Sequence, residues 1–144
     1  MKRTIKFRGK SLLSGQWLFG SHFTDGGEDY IIPQSLLGIN DYEGYQVDPN
    51  TVGQATGEFE PPQLEIYEGD IIKLDGSPEK GYRLVVYYEG AFCLANRKEL
   101  HYLQKGSHPY LNDYAHMTPL ISWTDTGLAR IVGNIHTHPE LLDE

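Results

Sequence analysis

Two histidines near the end of the chain are the residues whose spacing most suggests chemistry. His136 and His138 flank Thr137 and are followed by Pro139, and histidines so placed can hold a zinc ion. A catalytic zinc site also needs a third protein ligand, and Asp143 follows too closely to provide it. We therefore expect no metal site and interpret both histidines as a strand end that leads into a closing turn.

Glu68 and Asp70 are paired carboxylates on either side of Gly69, the residue type that general acid–base catalysis uses. In a turn that enters a strand, however, acidic side chains usually cap backbone N–H groups and face water. The sequence contains no phosphate-binding glycine loop and no G-x-S-x-G elbow. We expect a structural role for both acids, with no catalytic residues, no cofactor and no enzymatic activity.

Basic residues are concentrated at the start of the chain. Five of the twelve lie in the first ten positions, none lies between positions 11 and 72, and eleven acids fall in that same interval. We expect Lys6, Arg8 and Lys10 to pair with acids inside the fold or across a subunit contact. The alternative is that this charge distribution forms a binding surface of one sign.

Two macromolecular roles follow from that alternative. The basic first strand, with Phe7 and Trp17 nearby for stacking on bases, could bind nucleic acid. The acidic interval could instead mimic the phosphates of DNA and occupy a host nuclease or regulator. Because the net charge is −8 and the pI about 5.1, we expect no continuous basic face and do not expect nucleic acid as a partner.

Length and composition indicate a soluble globular protein. At 144 residues and 39% hydrophobic, the chain can bury a core in a single domain over 1–144. Cys93 is the only cysteine, so we expect a buried thiol, no internal disulfide and a reducing compartment. We find no signal peptide at the start and no stretch near the ~20 apolar residues of a membrane helix. We therefore expect a cytoplasmic location and no membrane partner.

Sixteen glycines and eight prolines punctuate the chain too often for long helices, which is typical of short strands joined by turns. We predict a mostly-β fold with one or two short helices. In the first part, residues 1–60, a β-hairpin turns at Ser14 and Gly15, and residues 26–62 form a loop-rich cover. The elements predicted in this region are, in order, strands at 4–8, 16–23, 30–32 and 45–47 and a turn at 48–51.

The second part, residues 61–144, resembles the opening of an SH3-like, partly open barrel. The helix predicted there has Asn96 as its N-cap and Gly106 as its stop. The elements predicted are, in order, a turn at 65–70, strands at 71–74, 82–88 and 91–94, the helix at 96–105, strands at 120–123 and 128–135, and a helical turn at 139–142.

Four stretches together resemble the YopX family of phage and prophage proteins, and in order and spacing they span nearly the whole chain. They read IKFRGK at 5–10 with GQW at 15–17, VDPNTVGQATG at 47–57, IYEGDI at 66–71 and VGNIHTHPELL at 132–142. The resemblance implies a phage or prophage origin and a β-rich fold with a barrel-like part, and it supplies no catalytic residues. At 58–62 this chain reads EFEPP, where relatives more often have a polar, lysine-containing turn.

Together these observations predict a non-enzymatic accessory protein that acts in the bacterial host cell through contacts with a host or phage protein. Homo-oligomers are a second expected form of contact. The candidate interaction surface consists of the charged and aromatic residues singled out above, namely Lys6, Arg8, Lys10, Trp17, Glu68 and Asp70. Mimicry of nucleic acid, and nucleic-acid binding through the first strand, are the alternatives.

Overall fold

A computed structural model describes residues 4–36, 38, 41–76, 81–105 and 118–143. These residues form a mostly-β protein with two short α-helices, which confirms the predicted fold class. The chain divides into two compact units, Met1–Gly57 and Glu58–Glu144. This boundary lies three residues before the one predicted between positions 60 and 61, and the assignment of 1–144 to a single domain stays a prediction.

The first unit is built from antiparallel strands in the order β4-β3-β2-β1-β5. The predicted pairing of the first two strands is confirmed, although the first strand begins three residues later than expected. The turn predicted at 48–51 is also confirmed, because the Asp48 carboxylate accepts a 3.0 Å hydrogen bond from Asn50 N. The strands are β1 (Phe7–Lys10), β2 (Trp17–Asp25), β3 (Glu28–Ile32), β4 (Gln46–Val47) and β5 (Gly53–Glu60).

The short strand β4 is held on both sides. It pairs with β3, and its Gln46 carbonyl accepts a 3.0 Å hydrogen bond from Leu12 N, just after β1. Ile31 and Val47 are fully buried in this unit. Gly9 permits the close packing, because a Cβ at this position would lie only 3.0 Å from the Val47 Cβ.

The second unit contains an open antiparallel sheet in the order β10-β9-β8-β7-β11. Its main core consists of Ile66, Ile72, Val85, Leu94, Leu120 and Ala129. A 3-10 helix, Pro139–Leu142, follows the last strand where a helical turn was predicted. The elements are β6 (Leu64–Tyr67), β7 (Asp70–Leu74), β8 (Tyr82–Tyr88), β9 (Ala91–Ala95), α1 (Arg97–Gln104), β10 (Thr118–Pro119), α2 (Ile121–Thr124) and β11 (Ala129–Asn134).

Helix α1 begins as the sequence predicts. The Asn96 side chain accepts a 2.9 Å hydrogen bond from Glu99 N, and the Glu99 carboxylate accepts one of 3.2 Å from Asn96 N. This reciprocal capping box satisfies two backbone donors at the helix start. The predicted stop, Gly106, lies outside the described residues. Within the described part of the chain, no helix is long and apolar enough to cross a membrane.

Three predictions about the elements are wrong. The predicted loop-rich cover contains the eight-residue strand β5. The alternation of apolar and polar residues typical of a strand is not visible in this stretch, because β5 contains small residues and includes Gly57, which has a φ of 81°. Residues 64–67, expected partly as a turn, form β6. Residues 120–123, expected as a strand, lead into α2, because helical spacing lets Leu120 and Trp123 pack into the same core.

Candidate interaction surface

The turn between β1 and β2 is fixed by Ser11. The Ser11 hydroxyl accepts 3.2 Å hydrogen bonds from the backbone N–H groups of Leu13 and Ser14. Ser11 N also donates to the Gln16 carbonyl at 2.8 Å, and Gly15 N donates to the Ser11 carbonyl at 2.9 Å. Four hydrogen bonds therefore hold six residues, 11–16, in one conformation.

This fixed turn exposes two adjacent leucines. Leu12 is 58% exposed and Leu13 is 82% exposed. Isolated apolar side chains are common on protein surfaces, but two neighbours on a rigid tip form a small, protruding apolar knob. Covering such a knob with another surface removes its apolar area from water and thereby lowers the free energy.

Charged and aromatic side chains lie on the two strands that this turn connects. In the β1–β2 register Lys10 is opposite Trp17 and Arg8 is opposite Phe19, so all four lie on one face of the strand pair. The Arg8 guanidinium carbon lies 4.8 Å from the Trp17 ring centroid, a cation–π contact, and Arg8 is only 7% exposed. Phe19 is 48% exposed. We name Lys10, Leu12, Leu13, Trp17 and Phe19 the hairpin-tip surface.

The structure thus brings together three of the six predicted interaction residues. Arg8 supports Trp17 from below, while Lys10 and Trp17 are half-buried and reach solvent. Lys6 precedes β1, where its carbonyl accepts a 2.9 Å hydrogen bond from Ala55 N. Leu12 and Leu13 were not predicted, although two leucines between Ser11 and Ser14 in a hairpin turn are an available signal.

Glu68 and Asp70 belong to the second unit. The Asp70 carboxylate accepts a 2.8 Å hydrogen bond from Tyr67 N across the β6–β7 turn, which agrees with the predicted capping role. Asp70 is 3% exposed, however, so it faces the interior and not water as expected. Glu68 is half-buried in the same turn.

The two histidines near the end of the chain lie in a turn after β11. The Asn134 side-chain oxygen accepts 3.0 Å hydrogen bonds from the N–H groups of His136 and Thr137. The Thr137 hydroxyl and His138 Nδ1 are 2.8 Å apart and share a hydrogen bond. Among the described residues, no group of three or more metal-ligating side chains is assembled. The geometry agrees with a turn that closes a strand.

Carboxylates of the acidic interval 11–72 take part in hydrogen bonds within the first unit. Asp29 is 2.7 Å from His22 Nε2, and Glu28 accepts a 2.7 Å hydrogen bond from Gln46. The Tyr42 hydroxyl donates to Asp25, and this contact raises the pKa of Tyr42 above its usual value. Tyr42 also packs edge-on against Phe23 and Tyr30, which stack on each other.

In the second unit, two further acids of the interval accept hydrogen bonds, one from a side chain and one from the backbone. Glu58 accepts a 2.8 Å hydrogen bond from the Thr124 hydroxyl, and Glu60 accepts one of 3.0 Å from Ile131 N. Both acids belong to the EFEPP stretch, which the sequence alone presents as extra surface charge. Here they bind α2 and β11.

Comparison with known proteins identifies the family of this chain. Three chains of solved structures match, among them the crystal structure of protein EF1440 from Enterococcus faecalis, with 18% identity and a TM-score of 0.49. That match covers 98% of this chain and 99% of the other. No curated protein matches. The model of the YopX protein family matches residues 6–143, and the chain therefore belongs to the YopX family.

Proposed function

We propose that this protein is a non-enzymatic phage accessory protein that binds a protein partner through the hairpin-tip surface. The observation that carries the proposal is the exposure of Leu12 and Leu13 on a turn that four hydrogen bonds fix. Membership of the YopX family supports a phage or prophage origin. The bacterial cytoplasm is then the compartment in which the partner is met.

The energetics favour a protein partner. Burying one leucine side chain gains about 1.5–3 kcal/mol, so the pair supplies enough apolar free energy to anchor a specific contact. Because Ser11 already fixes the turn, binding requires little further ordering of the backbone. On the strands that the turn connects, Trp17 adds a large ring and Lys10, opposite it in the register, adds a charge.

The contacts of the charged residues support this function over the two nucleic-acid alternatives. Arg8, the central cation of the basic strand, lies under the Trp17 ring and is not presented for phosphate contacts. Two acids of the interval, Glu58 and Glu60, are half-buried and accept hydrogen bonds from Thr124 and Ile131, so they are not fully available to act as phosphate mimics. The buried Asp70 carboxylate likewise accepts a hydrogen bond from the backbone N–H of Tyr67.

Affinity capture tests the proposed function. Tagged protein is produced in the bacterial host together with an untagged copy, and every retained protein is quantified. We expect the wild type to retain at least one partner that the Leu12→Ser/Leu13→Ser variant loses. Leu64→Ser is the matched control, because Leu64 is 57% exposed but lies on β6, away from the hairpin turn in sequence.

Equal retention by the wild type, the leucine variant and the control would contradict the proposed function. Circular dichroism of each variant shows that the fold is intact. Both leucines of the tip are more than half exposed, so their replacement by serine removes little native packing.

A further inference from the structure

Three aromatic rings pack together on one face of the sheet of the first unit. Phe23 on β2 and Tyr30 on β3 are directly opposite each other in the register, and their rings stack with centroids 5.2 Å apart. Tyr42 packs edge-on against both, at 5.1 Å from Phe23 and 5.0 Å from Tyr30. All three residues are half-buried, so their rings also reach solvent. We name Phe23, Tyr30 and Tyr42 the aromatic cluster.

Exposed carboxylates border the aromatic cluster. Asp25 and Glu28 are opposite each other in the β2–β3 register, two residues along from the stacked rings, and therefore lie on the same face of the sheet. Asp41 and Glu43 flank the third ring in the sequence. All four acids are exposed, and within the described part of the chain none of them forms an ion pair.

Neutral donors hold the two acids on the strands. The Tyr42 hydroxyl donates to the Asp25 carboxylate, and the Gln46 side-chain amide donates to Glu28 at 2.7 Å. Hydrogen bonds of this kind fix the position of a carboxylate without supplying a positive charge beside it. The negative charge of this face is thus held in place and still able to attract a cation.

The basic residues of the first unit lie elsewhere on its sheet. No lysine or arginine occurs between positions 11 and 72, and Lys6, Arg8 and Lys10 lie on β1 or directly before it. Strand β2 separates β1 from β3, and Arg8 is already in contact with Trp17. The aromatic cluster is therefore surrounded by charges of one sign, which makes it complementary to a cation.

An arginine side chain matches both the rings and the carboxylates. Its guanidinium is planar, stacks on aromatic faces and donates paired hydrogen bonds to carboxylates. The first unit already contains one contact of this type, since the Arg8 guanidinium carbon lies 4.8 Å from the Trp17 ring centroid. A lysine ammonium would meet the same charge, but it lacks the planar group that stacks on a ring.

We propose that the aromatic cluster and the four acids beside it bind an arginine side chain in a basic segment of a partner protein. The carboxylates attract a cationic segment, and the rings favour arginine over lysine. This site shares no residue with the hairpin-tip surface, and the inference does not depend on the proposed function.

Fluorescence anisotropy with a labelled peptide tests this inference on the full chain. The probe is a short peptide of alternating arginine and glycine with blocked ends. Two comparison peptides carry lysine or citrulline, an uncharged analogue of arginine, in place of every arginine. At about 50 mM salt we expect the arginine peptide to bind, the lysine peptide to bind about threefold more weakly, and the citrulline peptide not to bind.

A pair of charge variants separates this site from general attraction to an acidic protein. Asp25→Asn/Glu28→Gln removes two charges, keeps an oxygen acceptor at each position and should weaken binding of the arginine peptide about tenfold. Asp125→Asn/Glu140→Gln is the matched control, because it removes the same charge from two exposed positions of the second unit. The control should change the affinity by less than about twofold.

NMR of the wild type with ring-labelled tyrosine locates the bound peptide without any substitution. We expect the ring signals of Tyr30 and Tyr42 to shift as the arginine peptide is added, because a guanidinium then lies against the cluster. Phe23→Leu removes one ring and keeps all four charges, so it should reduce the preference for arginine over lysine. Circular dichroism of each variant shows whether the fold is intact.

Several results would overturn the inference. They are no binding of the arginine peptide, equal affinity of the wild type for the arginine and lysine peptides, equal loss of affinity in the two charge variants, and binding that leaves the Tyr30 and Tyr42 signals unchanged. None of these results bears on Leu12 and Leu13, whose role the capture experiment tests separately.

Discussion

Ser11 determines how the hairpin tip presents its leucines. It is buried at 5% exposure, and its hydroxyl is the acceptor for two backbone N–H groups of the turn. A side chain of this kind acts on binding without touching a partner. Its contribution can be separated from that of Leu12 and Leu13, because replacing Ser11 by alanine removes the hydroxyl and leaves both leucine side chains unchanged in type.

We expect Ser11→Ala to lower the free energy of unfolding of the first unit by about 1–3 kcal/mol, because two turn N–H groups lose their acceptor. Partner retention should fall as well, since the leucines then have to be ordered on binding. Chemical denaturation and affinity capture measure the two effects. Ser35→Ala, at an exposed serine, is the control and should change stability by less than about 0.5 kcal/mol.

Tyr42 permits a second prediction at the scale of a residue. Its hydroxyl donates to Asp25, so loss of the proton would place a phenolate beside a carboxylate, and the pKa of Tyr42 is raised from 10.0. A raised pKa in the folded state stabilises the protein below pH 10.0, and this contribution is lost as the pH rises through the folded value.

We expect Asp25→Asn to lower the pKa of Tyr42 back towards 10.0, as followed by NMR of ring-labelled tyrosine. An unchanged Tyr42 titration would show that the hydrogen bond to Asp25 does not form in solution.

At the scale of elements, the predictions that succeeded depend on local signals. Alternation and a glycine turn were enough for the β1–β2 hairpin, and Asn96 with Glu99 marked the start of α1. Strand β5 and helix α2 depend on distant partners. Thr124 bonds to Glu58, and Leu120 and Trp123 enter a core made by other strands. Contacts of this range override local propensity, and no short window of sequence contains them.

Strand β2 contains a glycine, Gly20, that lies too close to the backbone of β3 to accept a side chain. A Cβ at Gly20 would lie 2.0 Å from the Ile32 carbonyl oxygen on β3, a backbone atom that cannot move aside. We expect Gly20→Ala to destabilise the first unit by about 3 kcal/mol, measured by thermal or chemical denaturation. Gly44→Ala is the matched control, because nothing lies within 4 Å of a Cβ there. Equal stability of the two variants would contradict the β2–β3 pairing.

For the candidate surface, the sequence indicated its charged and aromatic part only. Lys10 and Trp17 stood out by charge pattern and residue type, whereas the sequence marks Leu12 and Leu13 only by their position between two serines of a hairpin turn. Their importance depends on exposure, which the closure of the turn by Ser11 and Gln16 determines.

At the scale of the whole molecule, the net charge is the property that bears on binding to nucleic acid. A charge of −8 repels nucleic acid, and Arg8 is covered by Trp17. We expect no shift of DNA or RNA in an electrophoretic mobility assay at about 50 mM salt, a condition that favours phosphate contacts. A shift that Lys6→Ala/Lys10→Ala abolishes would show that the first strand binds nucleic acid after all.

The two tryptophans make each unit optically distinguishable. Trp17 lies in the first unit, in cation–π contact with Arg8, and Trp123 packs against the core of the second unit. A Trp123→Phe variant leaves one indole, Trp17, at the start of the strand that follows the leucine turn. Its emission should respond both to unfolding of the first unit and to a partner bound at the hairpin-tip surface. Trp17→Phe leaves the other indole as a reporter of the second unit. Fluorescence can thus follow the two units separately without any added dye.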